Sequence, residues 1–308
     1  MSESVIFLTI GMVCLYLGAE LLVKGGVALA CQLGLPPLMV GLTIVSLSTS
    51  LPEAVVSILA QIRDGNGDVA LANIVGSNIA NMGLILGVVS LVSPQKVIIS
   101  LRNRETPLMV GATLFLGIGM SFGVLSQAFG VLCFLLFLGY LFLQCYLLKK
   151  SPKDQAIKEL EDVAFVDQEE IRQSLCLRSL AVNAAFIISG GVFLVMGGYT
   201  LIKGATEIAL YFGISSRVIG LTVVALGTSL PELATSLIAA LRKHSDIALG
   251  NIIGSNFFNI LFIIGTVASI SPISFSREIF VRDFPVMMLF SLTLWGVMHF
   301  SKNITRWM

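Results

Sequence analysis

The chain has 308 residues, of which 56% are hydrophobic and 12% charged, and its mean hydropathy is +0.94. Such a composition excludes an ordinary soluble domain and predicts an integral membrane protein. The formal net charge of +1 leaves no basic face that would favour a nucleic-acid partner. The N-terminus carries Glu3 where a signal peptide would be basic, so the first apolar run is interpreted as a retained helix. The scattered cysteines are expected to be free thiols: Cys14, Cys31, Cys133, Cys145 and Cys176.

Apolar runs of about 20 residues are long enough to cross the hydrocarbon core as helices, and they predict an all-α membrane protein. We place nine spans, near 5–25, 37–62, 69–92, 105–124, 127–148, 180–202, 216–241, 247–270 and 284–300. A polar linker at 149–178 separates a first half, 1–148, from a second half, 179–308. Where a tenth span is expected the sequence stops, so either the second half is naturally short or the sequence is truncated.

Charge in the loops predicts the orientation, because loops rich in Lys and Arg stay cytoplasmic. Most of the 19 basic residues fall in cytoplasmic segments if the N-terminus lies outside. The linker 149–178 is then cytoplasmic, and the expected location is the inner or cell membrane. Five helices precede the second half, and since five is odd, the two halves enter the membrane from opposite sides. The sequence therefore predicts two inverted repeats of about five helices each.

The two halves also repeat each other in sequence. The hexapeptide STSLPE at Ser48–Glu53 recurs as GTSLPE at Gly227–Glu232, 179 residues later. The alignment runs without a gap from 34–62 to 213–241, and it resumes at an offset of 178 with 72–78 on 250–256. Internal repeats of this kind are typical of secondary transporters, whose binding sites lie at the repeat interface.

Oxygen-bearing side chains recur around the two glutamates at helical spacing. On the second predicted helix Ser46, Thr49, Ser50 and Ser57 share a stripe with Glu53, and the second copy has Thr228, Ser229 and Ser236 around Glu232. The following helix carries a polar residue every fourth position: Asn73, Ser77 and Asn81 in one copy, Asn251, Ser255 and Asn259 in the other. Oxygen is the ligand of hard cations such as Ca2+ and Na+, and two carboxylates balance one divalent ion.

Two prolines and the apolar surroundings strengthen this interpretation. Pro52 and Pro231 each remove a backbone hydrogen bond, which frees a carbonyl near Ser48 or Gly227 as a further ligand. A carboxylate inside a membrane segment is costly and therefore indicates function. Small polar residues alone would also fit helix packing, so the alternative structural role of each Ser, Thr or Asn stays open.

These motifs resemble the alpha repeats of the cation/calcium exchanger superfamily, and the compact prokaryotic sodium/calcium exchanger-like members look most similar. The resemblance covers nearly the whole chain. It implies ten helices, of which the second, third, seventh and eighth hold four cation sites while the first and sixth slide across them to alternate access. It also implies that Glu53 and Glu232 are central carboxylates shared by Ca2+ and Na+ sites. The other implied ligands are Thr49, Ser50, Ser77, Asn81, Thr228, Ser229 and Ser255.

The chain departs from that family pattern at two positions within the motifs. Asn259 stands where some members carry Asp; we keep it as a candidate metal ligand, but the site then has two carboxylates in place of three. This departure leaves open how many Na+ ions are coupled, and whether the coupling ion is Na+ or H+. Ser48 replaces the usual Gly and adds a side chain near a ligating carbonyl.

The expected function is a secondary active antiporter that exchanges Ca2+ for Na+ by alternating access, with the bilayer and inorganic cations as its partners and no cofactor. The alternative is a proton-coupled exchanger of Ca2+ or another divalent cation such as Mn2+. A membrane-embedded enzyme would need only one acid–base pair, whereas this chain duplicates a whole set of ligands, so we expect no enzyme. A channel would share the ligands but show no counterflow.

Overall fold

The structure, a computed structural model, describes residues 2–33, 35–62, 65–150, 179–213, 225–301 and 303–305. The described chain is predominantly helical. Its helices are α1 (Ser2–Leu33), α2 (Pro37–Thr49), α3 (Leu51–Ile62), α4 (Gly67–Val92), α5 (Thr106–Met120), α6 (Gln127–Lys150), α7 (Leu180–Tyr211), α8 (Leu230–Leu241), α9 (Ser245–Ile270) and α10 (Ile279–Phe300). Four two-residue strands lie between them: β1 (Gln95–Lys96), β2 (Val124–Leu125), β3 (Ile273–Ser274) and β4 (Asn303–Ile304).

Six of the described helices are long and apolar enough to cross a membrane, namely α1, α4, α6, α7, α9 and α10. A seventh span results if α2 and α3, which are broken at Ser50, count as one. The predicted number of nine is not confirmed, because α5 and α8 have only 15 and 12 residues. Part of the span predicted at 216–241, and the linker 149–178 from residue 151 onward, lie outside the described residues.

The thiols were predicted correctly for three cysteines. Cys14, Cys133 and Cys145 are free. Cys31 is disulfide-bonded, so the prediction of a free thiol was wrong there. Sequence spacing could not reveal this, because a disulfide depends on which cysteines the fold brings together. Cys176 lies outside the described residues.

The repeat seen in the sequence recurs in the local structure. Adding 179 to the bounds of α3 gives those of α8, and adding 178 to those of β1 gives those of β3. The same offset of 178 relates two π-helical turns, Leu101–Glu105 and Ile279–Asp283. The middle of α4 and the middle of α9 also widen into π-helical turns, Asn81–Ile85 and Phe258–Ile263. Single π-turns of this kind are frequent at functional sites.

The described chain divides into two compact units, and neither is continuous in sequence. The first unit comprises Met1–Thr49 and Cys145–Asn251, and the second comprises Ser50–Gln144 and Ile252–Met308. In the first unit α1 packs closely along α7, and each helix carries a glycine every seventh residue at the contact: Gly11, Gly18 and Gly25 on α1, Gly190, Gly197 and Gly204 on α7. Small residues let membrane helices approach until their backbones touch.

A buried carboxylate connects α1 to the end of α8 within the first unit. Glu20 is 8% exposed, and its Oε1 accepts hydrogen bonds from Arg242 Nη2 at 2.5 Å and from Lys24 Nζ at 2.9 Å. Arg242 follows the last residue of α8, the helix that carries Glu232. The ion pair therefore ties the helix of one candidate ligand to α1.

The second unit contains α3, α4, α5, α10 and most of α6 and α9. Two antiparallel strand pairs, β1 with β4 and β2 with β3, join its loops. At the start of α5 the buried carboxylate of Glu105 accepts hydrogen bonds from Tyr140 Oη at 3.1 Å and Gln144 Nε2 at 3.0 Å, and it pairs with Arg104. The Tyr140 ring stacks on Phe257 of α9, with ring centres 4.5 Å apart. This network fixes α6 against α9, next to the polar side chains of α9.

Candidate functional site

Glu53 lies at the start of α3 in the second unit and is completely buried. Ser77 Oγ, on α4, donates a hydrogen bond to Glu53 Oε1 at 3.5 Å. Asn73, one turn earlier on α4, donates through Nδ2 to the Glu53 backbone carbonyl at 3.3 Å and to Ser57 Oγ at 3.0 Å. The predicted stripe of α3 therefore does face the predicted ladder of α4.

Glu232 lies at the equivalent position of α8 in the first unit, and it is also completely buried. Asn251 Nδ2 donates to the Glu232 backbone carbonyl at 3.4 Å and to Ser236 Oγ at 3.0 Å, which repeats the arrangement around Glu53. Thr49 Oγ1 donates to Asn251 Oδ1 at 3.1 Å. Each glutamate is thus fixed through its backbone by an asparagine of the ladder that follows it in sequence.

The chain is interrupted just before each glutamate. The helix breaks at Ser50, between α2 and α3, and in the second copy Thr228 and Ser229 form a turn before α8 begins at Leu230. The prolines lie in the first turn of α3 and α8, where a missing N–H costs little. The break at Ser50 bends the chain by 46° just before Glu53. That a carbonyl near Ser48 or Gly227 is freed as a ligand stays a prediction.

All ten predicted metal ligands are buried, each with at most 5% of its surface exposed: Glu53, Glu232, Thr49, Ser50, Ser77, Asn81, Thr228, Ser229, Ser255 and Asn259. Burial of so many polar groups in an apolar chain requires partners. The structure places Glu53 with Ser77 in the second unit and links Thr49 to the Glu232 backbone through Asn251 in the first. Asn81, Ser255 and Asn259 belong to the second unit, and Thr228 belongs to the first.

Four asparagines of α4 and α9 form two crossed pairs in the second unit. Asn81 Nδ2 donates to Asn256 Oδ1 at 3.3 Å, and Asn259 Nδ2 donates to Asn78 Oδ1 at 3.0 Å. The Oδ1 atoms of Asn81 and Asn259 are buried and receive no hydrogen bond from the described residues. A buried amide oxygen without a donor is costly, and a cation would satisfy it.

The roles of several residues near this site were not predicted from the sequence. Asn73 and Asn251 were recognised as part of the ladders but not as the residues that hold the glutamate backbones. Asn78 and Asn256 were not singled out, although both follow a Gly–Ser pair in the repeated sequence. Among the described residues, no group of three or more His, Cys, Asp or Glu side chains could hold a metal ion.

Comparison with known proteins identifies the family. The model of the family described as sodium/calcium exchanger protein matches residues 3–146 and 182–308. The chain belongs to the sodium/calcium exchanger family. This exchanger is 37% identical to the inner membrane protein YrbG of Escherichia coli, over 92% of this chain and 85% of that protein. It is 31% identical to the sodium/calcium exchanger MaX1 of Methanosarcina acetivorans, over 98% and 93%.

The fold of the exchanger also matches a solved structure. The sodium-calcium exchanger NCX_Mj, in crystals soaked with 10 mM Na+ and no Ca2+, superposes with a TM-score of 0.80 at 28% identity, covering 99% of this chain and 93% of that one. The resemblance inferred from the doubled motif is thereby confirmed. The exchanger is an integral membrane antiporter that acts on inorganic cations, and its relatives are transporters and not enzymes.

Proposed function

We propose that this exchanger moves Ca2+ in one direction across the membrane and Na+ in the other by alternating access. One observation carries the proposal: two buried glutamates at repeat-related positions are each held by the same asparagine and serine framework. The names of MaX1 and NCX_Mj, both sodium/calcium exchangers, support Ca2+ and Na+ as the ions.

Glu53 and Glu232 are the carboxylates that the transported cations neutralise. Neutral oxygens complete the coordination: Thr49, Ser50, Ser77, Asn81, Thr228, Ser229, Ser255 and Asn259. The buried Oδ1 atoms of Asn81 and Asn259, which receive no hydrogen bond from the described residues, support these two as ligands. Carboxylate and amide oxygens suit both Ca2+ and Na+.

Competition for the carboxylates couples the two ions. A buried glutamate without a counter-charge is strongly unfavourable in an apolar medium, so a carrier that moves with its sites unloaded is disfavoured. Ca2+ and Na+ cannot both satisfy the same carboxylates at once. Each half-cycle therefore carries one kind of ion, and the sodium gradient drives calcium movement.

The membrane topology in this proposal has two inverted repeats, with the N-terminus outside and the linker 149–178 cytoplasmic. The strand pairs support it, since β1 with β4 and β2 with β3 each join loops that the proposed topology puts on one side. The ion pair of Glu20 with Arg242 supports it in the same way, because Lys24 and Arg242 are both assigned to the cytoplasmic side. The repeated element bounds support two copies of one folding unit.

Coupling to protons is the second candidate, and Asn259 favours it. With a neutral side chain there, Glu53 and Glu232 carry the charge of the proposed ligand set, and both could release protons when a cation binds. In such a carrier a pH gradient would drive Ca2+ movement, and this movement would continue when choline replaces Na+.

The test is Ca2+ uptake into proteoliposomes that contain purified protein. Vesicles are loaded with Na+, Li+ or choline, with and without an imposed pH gradient, and Glu53→Gln and Glu232→Gln serve as inactive controls. Uptake that requires internal Na+ and is lost in both variants is the expected result. Uptake that follows the pH gradient alone would transfer the protein to the proton-coupled class, and unchanged uptake in either variant would contradict the assignment of that glutamate.

A further inference from the structure

The ligand candidate Asn81 belongs to a short chain of hydrogen bonds that ends at a sulfur atom. Its Nδ2 donates to Asn256 Oδ1 at 3.3 Å, and Asn256 Nδ2 in turn donates to the thioether Sδ of Met109 at 3.5 Å. Asn81, Asn256 and Met109 are all essentially buried. The chain runs from α4 through α9 to α5 and lies entirely in the second unit.

A second chain of the same kind starts at Asn259. Its Nδ2 donates to Asn78 Oδ1 at 3.0 Å, and Asn78 Nδ2 donates to Met287 Sδ on α10 at 3.7 Å. Each member lies 178 residues from its counterpart in the first chain, in the order asparagine, asparagine, methionine. Each chain takes residues from both halves of the sequence, and the same arrangement occurs twice, which argues against an accident of packing.

The methionine sulfur fixes the donor-to-acceptor direction of each chain of hydrogen bonds. A thioether can accept a hydrogen bond but cannot donate one, so the NH2 group of the neighbouring amide points toward it. The oxygen of that amide then points away and accepts from the NH2 group of the next asparagine. The orientation of the last amide is fixed in consequence, with its oxygen away from the chain, and this oxygen receives no hydrogen bond from the described residues.

We propose that Asn78 and Asn256 are positioning residues for cation binding. Oriented by the methionine sulfurs, they hold the amides of Asn259 and Asn81 so that oxygen, and not NH2, is presented to the transported ion. An amide turned the other way would offer two positively polarised hydrogens to a cation. The inference rests on the proposed function, and it adds residues that do not touch the ion but set its affinity.

The experiment compares two methionines of α5 that are equally buried. Met109→Leu removes the acceptor sulfur while nearly conserving volume, and Met120→Leu makes the same change where the described structure shows no hydrogen bond to sulfur. The half-saturating Ca2+ concentration of exchange is measured in proteoliposomes, and Ca2+ binding is measured by titration calorimetry. Loss of one orienting hydrogen bond is expected to weaken Ca2+ binding about fivefold in Met109→Leu. The maximal rate should change little, and Met120→Leu should match the wild type.

A second variant tests whether the sulfur acts through Asn256. Asn256→Ala should weaken Ca2+ binding at least as much as Met109→Leu does, and adding Met109→Leu to it should have no further effect. Equal Ca2+ affinity in Met109→Leu and Met120→Leu, or additive effects in the double variant, would overturn the inference and leave the proposed function intact. A wild-type protein that neither binds nor transports Ca2+ would overturn both.

Discussion

The close contact of α1 with α7 leads to a quantitative prediction at Gly18. A Cβ atom added there would lie 2.8 Å from the backbone N of Leu194 and 2.9 Å from the carbonyl oxygen of Gly190. Ordinary contacts of a Cβ atom begin near 3.4 Å, so the helices would have to separate by about half an ångström. Because both opposing atoms belong to the backbone, no rotamer change can relieve the clash.

Gly18→Ala is therefore expected to destabilise the protein in spite of the better helix propensity of alanine. Overpacking typically costs about 1–3 kcal/mol, and the propensity gain of about 1 kcal/mol offsets part of it. The matched control is Gly139→Ala on α6, where nothing lies within 4 Å of an added Cβ. The control should be neutral or slightly stabilising.

The assay is thermal unfolding of the purified variants in one detergent, followed by light scattering and intrinsic fluorescence. We expect the unfolding midpoint of Gly18→Ala to fall by a few degrees relative to Gly139→Ala. Gly190→Ala should behave like Gly18→Ala, and the double variant should cost less than the sum, because one separation of the helices accommodates both methyl groups. Equal midpoints for Gly18→Ala and Gly139→Ala would refute the close contact.

Three further predictions concern charges. Asn259→Asp adds a third carboxylate and removes the hydrogen-bond donor to Asn78. We expect calorimetry to show about tenfold tighter Ca2+ binding, because the charge of the ligands dominates affinity. Unchanged Ca2+ affinity would exclude residue 259 as a ligand. Burial, together with the charge of Arg242, lowers the pKa of His244 in the turn between α8 and α9 to about 4. The unfolded chain therefore binds the proton more readily, and acidification from pH 7 to 5 should cost about 2 kcal/mol of stability. That pH dependence of the unfolding midpoint should flatten in His244→Asn. Glu20→Gln weakens the ion pair with Arg242 and should lower stability by about 1 kcal/mol, which thermal unfolding at low and high salt would check.

The positions of the carboxylates could be predicted from sequence because their signal is local. A glutamate that follows proline inside an apolar run, in a motif that occurs twice, can be recognised without knowledge of tertiary contacts. Helical spacing also predicted correctly that Ser57 lies on the same side of its helix as Glu53, since Asn73 contacts both. The place of Ser77 beside Glu53 was implied by the family resemblance and not by spacing. The repeat strengthened the prediction that Glu53 and Glu232 are equivalent, and both lie in the first turn of a helix with matching bounds.

The pairing of side chains between helices could not be predicted in the same way. Spacing says which residues share a face, but not that Asn81 donates to Asn256, because this depends on how α4 packs against α9. The π-helical turns were also missed, since one extra residue in a turn barely disturbs an apolar pattern. The end of α1 was also misplaced: the helix extends to Leu33, past the predicted end at 25, because the apolar residues after Lys24 continue it.

The asparagine at position 259 bears on more than affinity. In the proposed ligand set Glu53 and Glu232 carry two negative charges, which one Ca2+ or two Na+ neutralise. A third Na+ would leave a net positive charge in an apolar interior, where an uncompensated charge costs several kcal/mol. If the coupling ion is Na+, as proposed, the neutral Asn259 leads us to expect electroneutral exchange of two Na+ for one Ca2+, with a rate that does not follow the membrane potential. A third carboxylate at this position would balance a third Na+ and make the exchange electrogenic. The side chain at position 259 would then decide whether the membrane potential can drive transport, with about 2.3 kcal/mol per charge at 100 mV.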